Sequence, residues 1–224
     1  MPASDNSRKI LRVTLKASIR ERTYQFQREE LAPRVREIVR AHSSAQRSTL
    51  SIADLGCGNG HWLRNFAAWN RAGLHLCGVD LDARRIRAAR LSAPCASFIQ
   101  ADCRATPFAA ESFDIVTQFT LFSSLTAPGI RQSAAKEILR VLKPGGVMIW
   151  YDFFAPNPLN RQTRPVGSAE IRKLFPDCAI RLERTTLLPP LARLLCRCGA
   201  SLPRGIRWLR THYLAVIEKP CARS

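Results

Sequence analysis

The amino-acid sequence predicts an α/β fold built on a mostly parallel sheet. From Leu50 onward, short apolar runs that end in Gly or Asp alternate with segments of helical periodicity, which is typical of βαβ units. A glycine-rich turn follows the first apolar run, and aspartates close the next two. Because the carboxyl ends of parallel strands meet at one edge of a sheet, these features predict a ligand site at that edge.

The spacing of apolar residues predicts seven strands with four helices between them. The strands are expected at 49–54, 74–79, 96–101, 113–118, 145–152, 178–186 and 212–218, and the helices near 60–71, 83–92, 130–142 and 168–175. Amphipathic helical spacing also extends over residues 8–42. We therefore expect an N-terminal helical cap over 1–47, followed by a single α/β domain over 48–224.

Size and composition favour a globular protein. The chain has 224 residues, of which 46% are hydrophobic, and this length suits one well-buried domain. It contains neither an apolar run of membrane-spanning length nor an N-terminal segment of signal-peptide type, so a cytoplasmic location is expected. The eight cysteines include no C-x-x-C pair, and we expect no metal site.

The net charge of +18 is concentrated at the two ends of the chain. Residues 1–47 contain 11 basic and 5 acidic side chains, and residues 156–224 contain 13 and 4. A basic rim would favour an anionic small molecule, an anionic membrane surface or RNA. The alternative is that arginine is abundant through coding bias alone, in which case the charge carries no functional information.

The first apolar run ends in the segment Asp54-Leu-Gly-Cys-Gly-Asn-Gly60. Its glycines at 56, 58 and 60 permit positive φ and a close approach of the backbone to a ligand. Asp54 distinguishes this turn from a dinucleotide site, because a carboxylate beside the turn would repel a pyrophosphate. The acid instead favours a cofactor that has a free amino group and no phosphate, such as S-adenosylmethionine.

Two further acids close the following strands. Asp80 ends the second strand, where a carboxylate can accept hydrogen bonds from both ribose hydroxyls. Asp102 ends the third strand, where it could accept from an adenine amino group, and the adjacent Cys103 could offer its backbone N–H to the ring. The alternative is that these aspartates only cap the helices that follow the strands.

Five segments resemble, in order and spacing, the motifs of class I S-adenosylmethionine-dependent methyltransferases of the UbiE-like group. They are DLGCGNG, VDLD, ADCRATPF, SFDIVTQFTLF and LRVLKPGGVMIWYDF, and they cover roughly residues 45–155. The later WYDF and RTHYL segments are similar to a bacterial subgroup with no defined acceptor.

The resemblance implies a Rossmann-like three-layer sandwich with an antiparallel last strand. It also implies a set of cofactor contacts. Residues 54–60, including Cys57 and Asn59, would contact the methionine portion, and Asp80 the ribose. Leu81, Asp102 and Cys103 would contact adenine, and Gln118 would lie near the sulfonium.

Two side chains are candidates for general-base catalysis if the acceptor is an alcohol. Asp152 ends the fifth strand among aromatic residues that could raise its pKa, and His212 begins the last strand. A structural role is an open alternative for both. The sequence after the fourth strand, from Thr117 to Thr120, lacks the Asn-Pro-Pro-aromatic motif of enzymes that methylate planar amino groups.

The predicted function is methyl transfer to an oxygen atom of a small molecule or of a glycan or lipid intermediate. Arg161 and Arg164 could contact an anionic acceptor, and segment 187–210, in which leucine and arginine interleave, could touch a membrane surface. RNA methylation and cofactor binding without catalysis are the alternatives, and Asp54 disfavours an NAD-dependent oxidoreductase. Either a monomer or a homodimer is compatible with the sequence.

Overall fold

A computed structural model describes residues 27–42, 49–69, 73–155, 163–187 and 210–221. By its internal contacts the chain divides into two compact units. One unit comprises 1–34 and 184–211, and the other comprises 35–183 and 212–224. The expected division into a cap over 1–47 and a domain over 48–224 stays a prediction.

The described part of the first unit contains a helical segment and two short strand ends. Leu31 is buried on this helix. Burial raises the pKa of Glu30 above its usual value, although Arg210 and Arg34 act in the opposite direction. The Arg210 guanidinium donates to the backbone oxygen of Arg184 at 2.8 Å.

The helices and strands follow the predicted order. The helices are α1 (27–42), α2 (His61–Trp69), α3 (Ala83–Ser92), α4 (Ile130–Val141) and α5 (Ser168–Leu174). The strands are β1 (Leu50–Leu55), β2 (Leu74–Asp80), β3 (Ser97–Gln100), β4 (Phe113–Phe119), β5 (Leu142–Phe153), β6 (Ala179–Leu187) and β7 (Arg210–Glu218). A short 3₁₀ turn, Phe122–Ser124, follows β4.

The seven strands form one sheet in the order β3-β2-β1-β4-β5-β7-β6. Strands β3, β2, β1, β4 and β5 pair in parallel, and β7 is antiparallel to β5, with Val147 opposite Glu218. The predicted mixed sheet with an antiparallel last strand is confirmed. The strand order reverses beside β1, and open α/β sheets bind ligands outside the carboxyl ends of the strands at such a point.

Strand β1 illustrates why the central strands read as apolar runs. Ile52, Ala53 and Leu55 are completely buried, although successive side chains of a strand point to opposite faces. A parallel strand covered by helices on both faces must be apolar throughout. Asp54 interrupts this run, so its carboxylate is a buried polar group at the end of a buried strand.

Strand β5 begins three residues earlier than the sequence suggested. The Lys-Pro-Gly-Gly segment, with Gly145 at φ +70, has the composition of a turn. Gly145 and Gly146 nevertheless pair with the backbone of Lys219 at 3.1 and 2.9 Å, which continues the ladder toward β7. The pairing with β4 shifts register between Phe113 and Ile115, which accommodates the irregular start.

Parts of the predicted helical segments lie outside the described residues. Residues 27–42 are helical, with Val35 and Val39 buried, whereas 8–26 and 188–209 are not described. Arg161 also falls outside. Within the described ranges, no helix has the length and apolar character needed to span a lipid bilayer.

Candidate functional site

The glycine-rich turn joins β1 to α2 at the reversal point of the sheet. Gly56, Gly58 and Gly60 have φ values of +73°, +54° and +75°, which side chains rarely allow. A Cβ at Gly56 would lie 3.0 Å from Leu121, and one at Gly60 would lie 3.0 Å from Phe98. A Cβ at Gly58 would meet no atom within 4 Å. Packing therefore requires two of the glycines, whereas the third faces open space.

Asp80, at the end of β2, organises this turn. Its carboxylate accepts from the backbone N–H of Gly58 and of Asp82, each at 2.9 Å, and its side chain is 7% exposed. The Arg85 guanidinium lies 3.9 Å away. The glycine turn and the end of β2 are thus connected through one carboxylate, as a shared binding edge requires.

Asp54 is a buried acid beside the same turn. The hydroxyl of Thr117, its neighbour on β4, donates to the carboxylate at 2.7 Å, and the side chain is 2% exposed. Burial, and to a smaller extent the nearby charge of Asp80, raises the pKa of Asp54 to about 7, whereas the Thr117 hydrogen bond lowers it. A cation placed here would be stabilised by this carboxylate and would restore its ionisation.

Asp102 and Cys103 follow β3 as predicted, but Asp102 already has a strong partner. The Arg104 guanidinium donates to both of its oxygens, with an Nη2–Oδ2 distance of 2.6 Å. These contacts keep the pKa of Asp102 below its usual value. Burial raises the pKa of Cys103 to about 11, so its thiol is protonated at neutral pH.

The other residues of the predicted cofactor set differ in exposure. Leu81, directly after β2, is 68% exposed. The backbone oxygen of Asn59 accepts from the Ser92 hydroxyl at 2.6 Å. Cys57 is buried, and burial raises its thiol pKa well above the usual range. Leu81 thus presents an apolar surface to solvent at the end of β2.

Gln118, on β4, is completely buried and is used within the protein. Its side-chain oxygen accepts from the Leu121 N–H at 2.9 Å, and its nitrogen donates to the Tyr151 carbonyl at 3.4 Å. The first contact shapes the loop that packs Leu121 against Gly56. Gln118 therefore positions the loop after β4, whatever else it contacts.

Asp152 is buried at the end of β5, with several donors around it. Its carboxylate accepts from the backbone N–H of Ser123 at 3.0 Å and of Phe153 at 2.9 Å. Burial raises its pKa to about 6, while these hydrogen bonds and the charge of Arg131 oppose the increase. The hydrogen bonds join β5 to the 3₁₀ turn after β4.

His212, at the start of β7, lies among aromatic rings. It stacks on Tyr151 with ring centres 4.9 Å apart and meets Phe153 edge-on. Burial lowers its pKa to about 4, so the imidazole is neutral at pH 7. His212 pairs with Phe153, and Asp152 pairs with Tyr213. Because side chains alternate along strands, Asp152 and His212 point to opposite faces of the sheet.

Three structural residues of the site were not foreseen from the sequence. Thr117 binds Asp54, and Gly78 leaves room for Phe98, since a Cβ there would lie 2.7 Å from that ring. Arg131 is buried and donates to the Phe122 and Leu125 carbonyls. A glycine inside an apolar strand could have indicated the close approach at Gly78. Neither Thr117 nor Arg131 stands in a recognisable sequence pattern.

Comparison with known proteins identifies the region that contains this site. Residues 52–146 match a family described as a methyltransferase domain. The chain carries a class I S-adenosylmethionine-dependent methyltransferase domain. The predicted family, enzyme class and cofactor are thereby confirmed for this domain. The matched residues include the glycine turn, Asp54, Asp80 and Asp102.

Two relatives of the methyltransferase differ in the atom they modify. The malonyl-[acyl-carrier protein] O-methyltransferase of Enterobacter lignolyticus is 32% identical over 54% of this chain and 46% of its own length. The ubiquinone/menaquinone biosynthesis C-methyltransferase UbiE of Campylobacter jejuni is 28% identical over 46% and 45%. The chain thus spans less than half the length of these relatives.

The fold is also shared with a solved cofactor complex. The phosphoethanolamine N-methyltransferase 2 of Haemonchus contortus, in complex with S-adenosyl-L-methionine, has a TM-score of 0.60 at 17% identity. The match covers 82% of this chain and 51% of that protein. At this identity the likeness concerns the fold alone.

Proposed function

We propose that the protein transfers a methyl group from S-adenosylmethionine to an oxygen atom of a small molecule or of a glycan or lipid intermediate. One observation carries the proposal. Carboxylates close the ends of β1 and β2 and follow β3, around a glycine turn whose central Gly58 faces open space at positive φ. This arrangement suits a ligand that bears an amino group, vicinal hydroxyls and an adenine ring.

Each portion of the cofactor has a chemically matched partner in the proposal. Asp54 would hold the amino group, and the neighbouring backbone of the glycine turn would allow close approach. The carboxylate of Asp80 already accepts from the N–H groups of Gly58 and Asp82. Its remaining lone pairs would accept hydrogen bonds from the ribose hydroxyls. Leu81, Asp102 and Cys103 would surround adenine, and Gln118 would keep the loop after β4 in place.

When bound, the cofactor supplies an activated methyl group on a sulfonium. The contribution of the protein is to align the acceptor oxygen and to exclude water. His212 lies on the same face of the sheet as Tyr151 and, through the β1–β4 and β4–β5 registers, as Asp54. It is therefore the candidate we place nearest the acceptor, whereas Asp152 would shape the loop from the other face.

The class of acceptor is proposed on chemical grounds. The β4 sequence Thr117-Gln118-Phe119-Thr120 lacks the motif used on planar amino groups, and the net charge of +18 favours an acceptor with anionic character. A cytoplasmic location, contact of 187–210 with a membrane, and a monomeric or homodimeric state belong to the same proposal.

Calorimetric titration tests the first half of the proposal. The full chain should bind S-adenosylmethionine and S-adenosylhomocysteine, and NAD should give no heat. Binding of NAD alone, or of none of the three, would overturn the cofactor assignment. The second half requires transfer of a radiolabelled methyl group to hydroxylated small molecules, glycans or lipid intermediates, with bulk RNA as the competing acceptor class.

A further inference from the structure

Arg104 binds the carboxylate of Asp102, the residue that we propose to contact adenine. Its backbone N–H and its Nε reach Oδ1 of Asp102 at 2.9 and 3.0 Å. Its Nε and Nη2 reach Oδ2 at 2.9 and 2.6 Å. A carboxylate offers about four lone-pair positions, so one arginine uses most of the acceptor capacity of Asp102.

The ion pair is not needed to ionise Asp102. The usual pKa of an aspartate is already far below neutral pH, and Arg104 lowers that of Asp102 further. The pair is also near the surface, with side chains 47% and 30% exposed. A partly exposed ion pair stabilises the fold only modestly, so a ligand that competes for Asp102 can displace Arg104 at a small cost in stability.

We propose that Arg104 determines the strength and the base specificity of cofactor binding by competing with adenine for Asp102. The proposal rests on the proposed function, because it assumes that Asp102 faces the adenine ring. An adenine amino group would therefore have to share the carboxylate of Asp102 with Arg104 or displace one of its contacts. Arg104 therefore weakens the binding of an adenine-containing cofactor.

The same competition predicts tolerance toward a different base. Hypoxanthine carries a carbonyl oxygen where adenine has its amino group. This oxygen would face the lone pairs of Asp102 unfavourably if the carboxylate stood alone. The Arg104 guanidinium, positioned at the same carboxylate, can donate to the oxygen instead. Arg104 should therefore reduce the difference in the protein's affinity for cofactors that carry adenine and for those that carry hypoxanthine.

The test compares S-adenosylhomocysteine with S-inosylhomocysteine by calorimetry on the full chain. The second compound carries an oxygen in place of the amino group and a proton on the adjacent ring nitrogen. Because the ring-nitrogen change is the same in the wild type and in the variants, a change in the ratio of the two dissociation constants between proteins reports on Arg104. In Arg104→Met, the Kd for S-adenosylhomocysteine should fall about threefold to fivefold, in line with the loss of one competing exposed pair. The ratio of the two dissociation constants should rise about tenfold or more. Raising the salt concentration should tighten binding to the wild type and not to this variant.

Two controls separate this effect from its alternatives. Arg84→Met removes the same charge from an exposed position on α3 and should leave the ratio of dissociation constants unchanged. Asp102→Asn, made in the Arg104→Met background, should weaken the binding of S-adenosylhomocysteine if adenine lies at Asp102. A merely structural role of Arg104 would shift thermal stability without changing the base preference.

The outcomes distinguish the inference from the function on which it rests. If Arg104→Met changes neither affinity nor base preference while Asp102→Asn weakens binding, the role of Arg104 is overturned and the adenine site stands. If Asp102→Asn has no effect, adenine does not lie there and the inference fails. If no variant and no wild-type protein binds S-adenosylhomocysteine, the proposed function fails as well.

Discussion

The ends of β1 and β5 each carry a buried aspartate, and the two carboxylates have different sets of hydrogen-bond donors. Asp152 is surrounded by backbone donors from Ser123 and Phe153 and is influenced by the charge of Arg131. Within the described ranges, the Asp54 carboxylate receives one hydrogen bond, from Thr117. Burial raises the pKa of both carboxyls, to about 6 for Asp152 and about 7 for Asp54, and more hydrogen bonds oppose the increase at Asp152 than at Asp54.

The difference indicates which acid is suited to a ligand. A buried carboxylate with satisfied lone pairs has little to gain from a further partner. A buried carboxylate with spare acceptor capacity is stabilised by any cation that reaches it. The sequence gives both residues the same appearance, an acid at the end of an apolar strand, and only their surroundings separate a binding role from a structural one.

The largest expected effect comes from the acid that connects the glycine turn to β2. Asp80→Ala removes the acceptor for the N–H groups of Gly58 and Asp82 together with the proposed ribose contact. We expect the Kd for S-adenosylhomocysteine to increase at least about a hundredfold, that is by about 3 kcal/mol. Calorimetry measures this change, and a variant that binds within about threefold of the wild type would refute the site.

Asp54→Asn should have the next largest effect on binding. The variant keeps the oxygen that accepts from Thr117 and loses the charge, so we expect about a tenfold increase in Kd at pH 8. In the wild type, a pKa of about 7 means that affinity should fall about tenfold between pH 8 and pH 6, as a proton occupies the carboxylate. The variant should show a flat pH dependence over this range.

The same residue predicts how stability depends on pH. The folded-state pKa of Asp54 lies above the unfolded value, so its contribution to stability is complete below about pH 4 and is lost as pH rises through about 7. Denaturant unfolding of Asp54→Asn should show a smaller decline over this window than the wild type. An equal decline in both proteins would show that another group is responsible.

Asp152→Asn should affect folding more than binding. One amide nitrogen would face the N–H of either Ser123 or Phe153, so we expect the free energy of unfolding to fall by about 1 to 3 kcal/mol. The Kd for S-adenosylhomocysteine should stay within about twofold. A large loss of affinity with unchanged stability would reverse the contrast between the two acids.

The smallest effect on cofactor binding and on stability at neutral pH is expected from His212→Phe, because the phenyl ring can still pack against Tyr151. The folded-state pKa of His212, about 4, lies below the unfolded value. Its contribution to stability is therefore present above about pH 6.5 and is lost as pH falls through 4. The variant should lose this acid sensitivity. Retained methyl transfer would assign His212 to packing, and lost transfer with intact cofactor affinity would assign it to the acceptor.

Much of the fold could be predicted because its signals are local. Apolar runs, glycine turns and helical periodicity located every strand of the sheet. The early start of β5 was missed, because a Lys-Pro-Gly-Gly sequence favours a turn, whereas in the fold Leu142 pairs with Phe113 of β4.

The contacts of the candidate site were less predictable than its location. The acids at 54, 80 and 102 lie at one edge of the sheet as expected. The partners that set their properties come from distant segments, such as Thr117 for Asp54, or from a side-chain conformation, such as that of Arg104. Spacing along a sequence encodes neither.

The stacking of Trp62 on Phe119 has a practical consequence. Trp62 is the second residue of α2, two positions after Gly60, and the centre of its ring lies 4.0 Å from that of Phe119 at an interplanar angle of 13°. Indole emission is sensitive to the environment of the ring, so this tryptophan is an intrinsic optical reporter at the rim of the glycine turn. Ligand titrations can then be followed by fluorescence without a label, and Trp62→Phe gives the background signal of Trp69, Trp150 and Trp208.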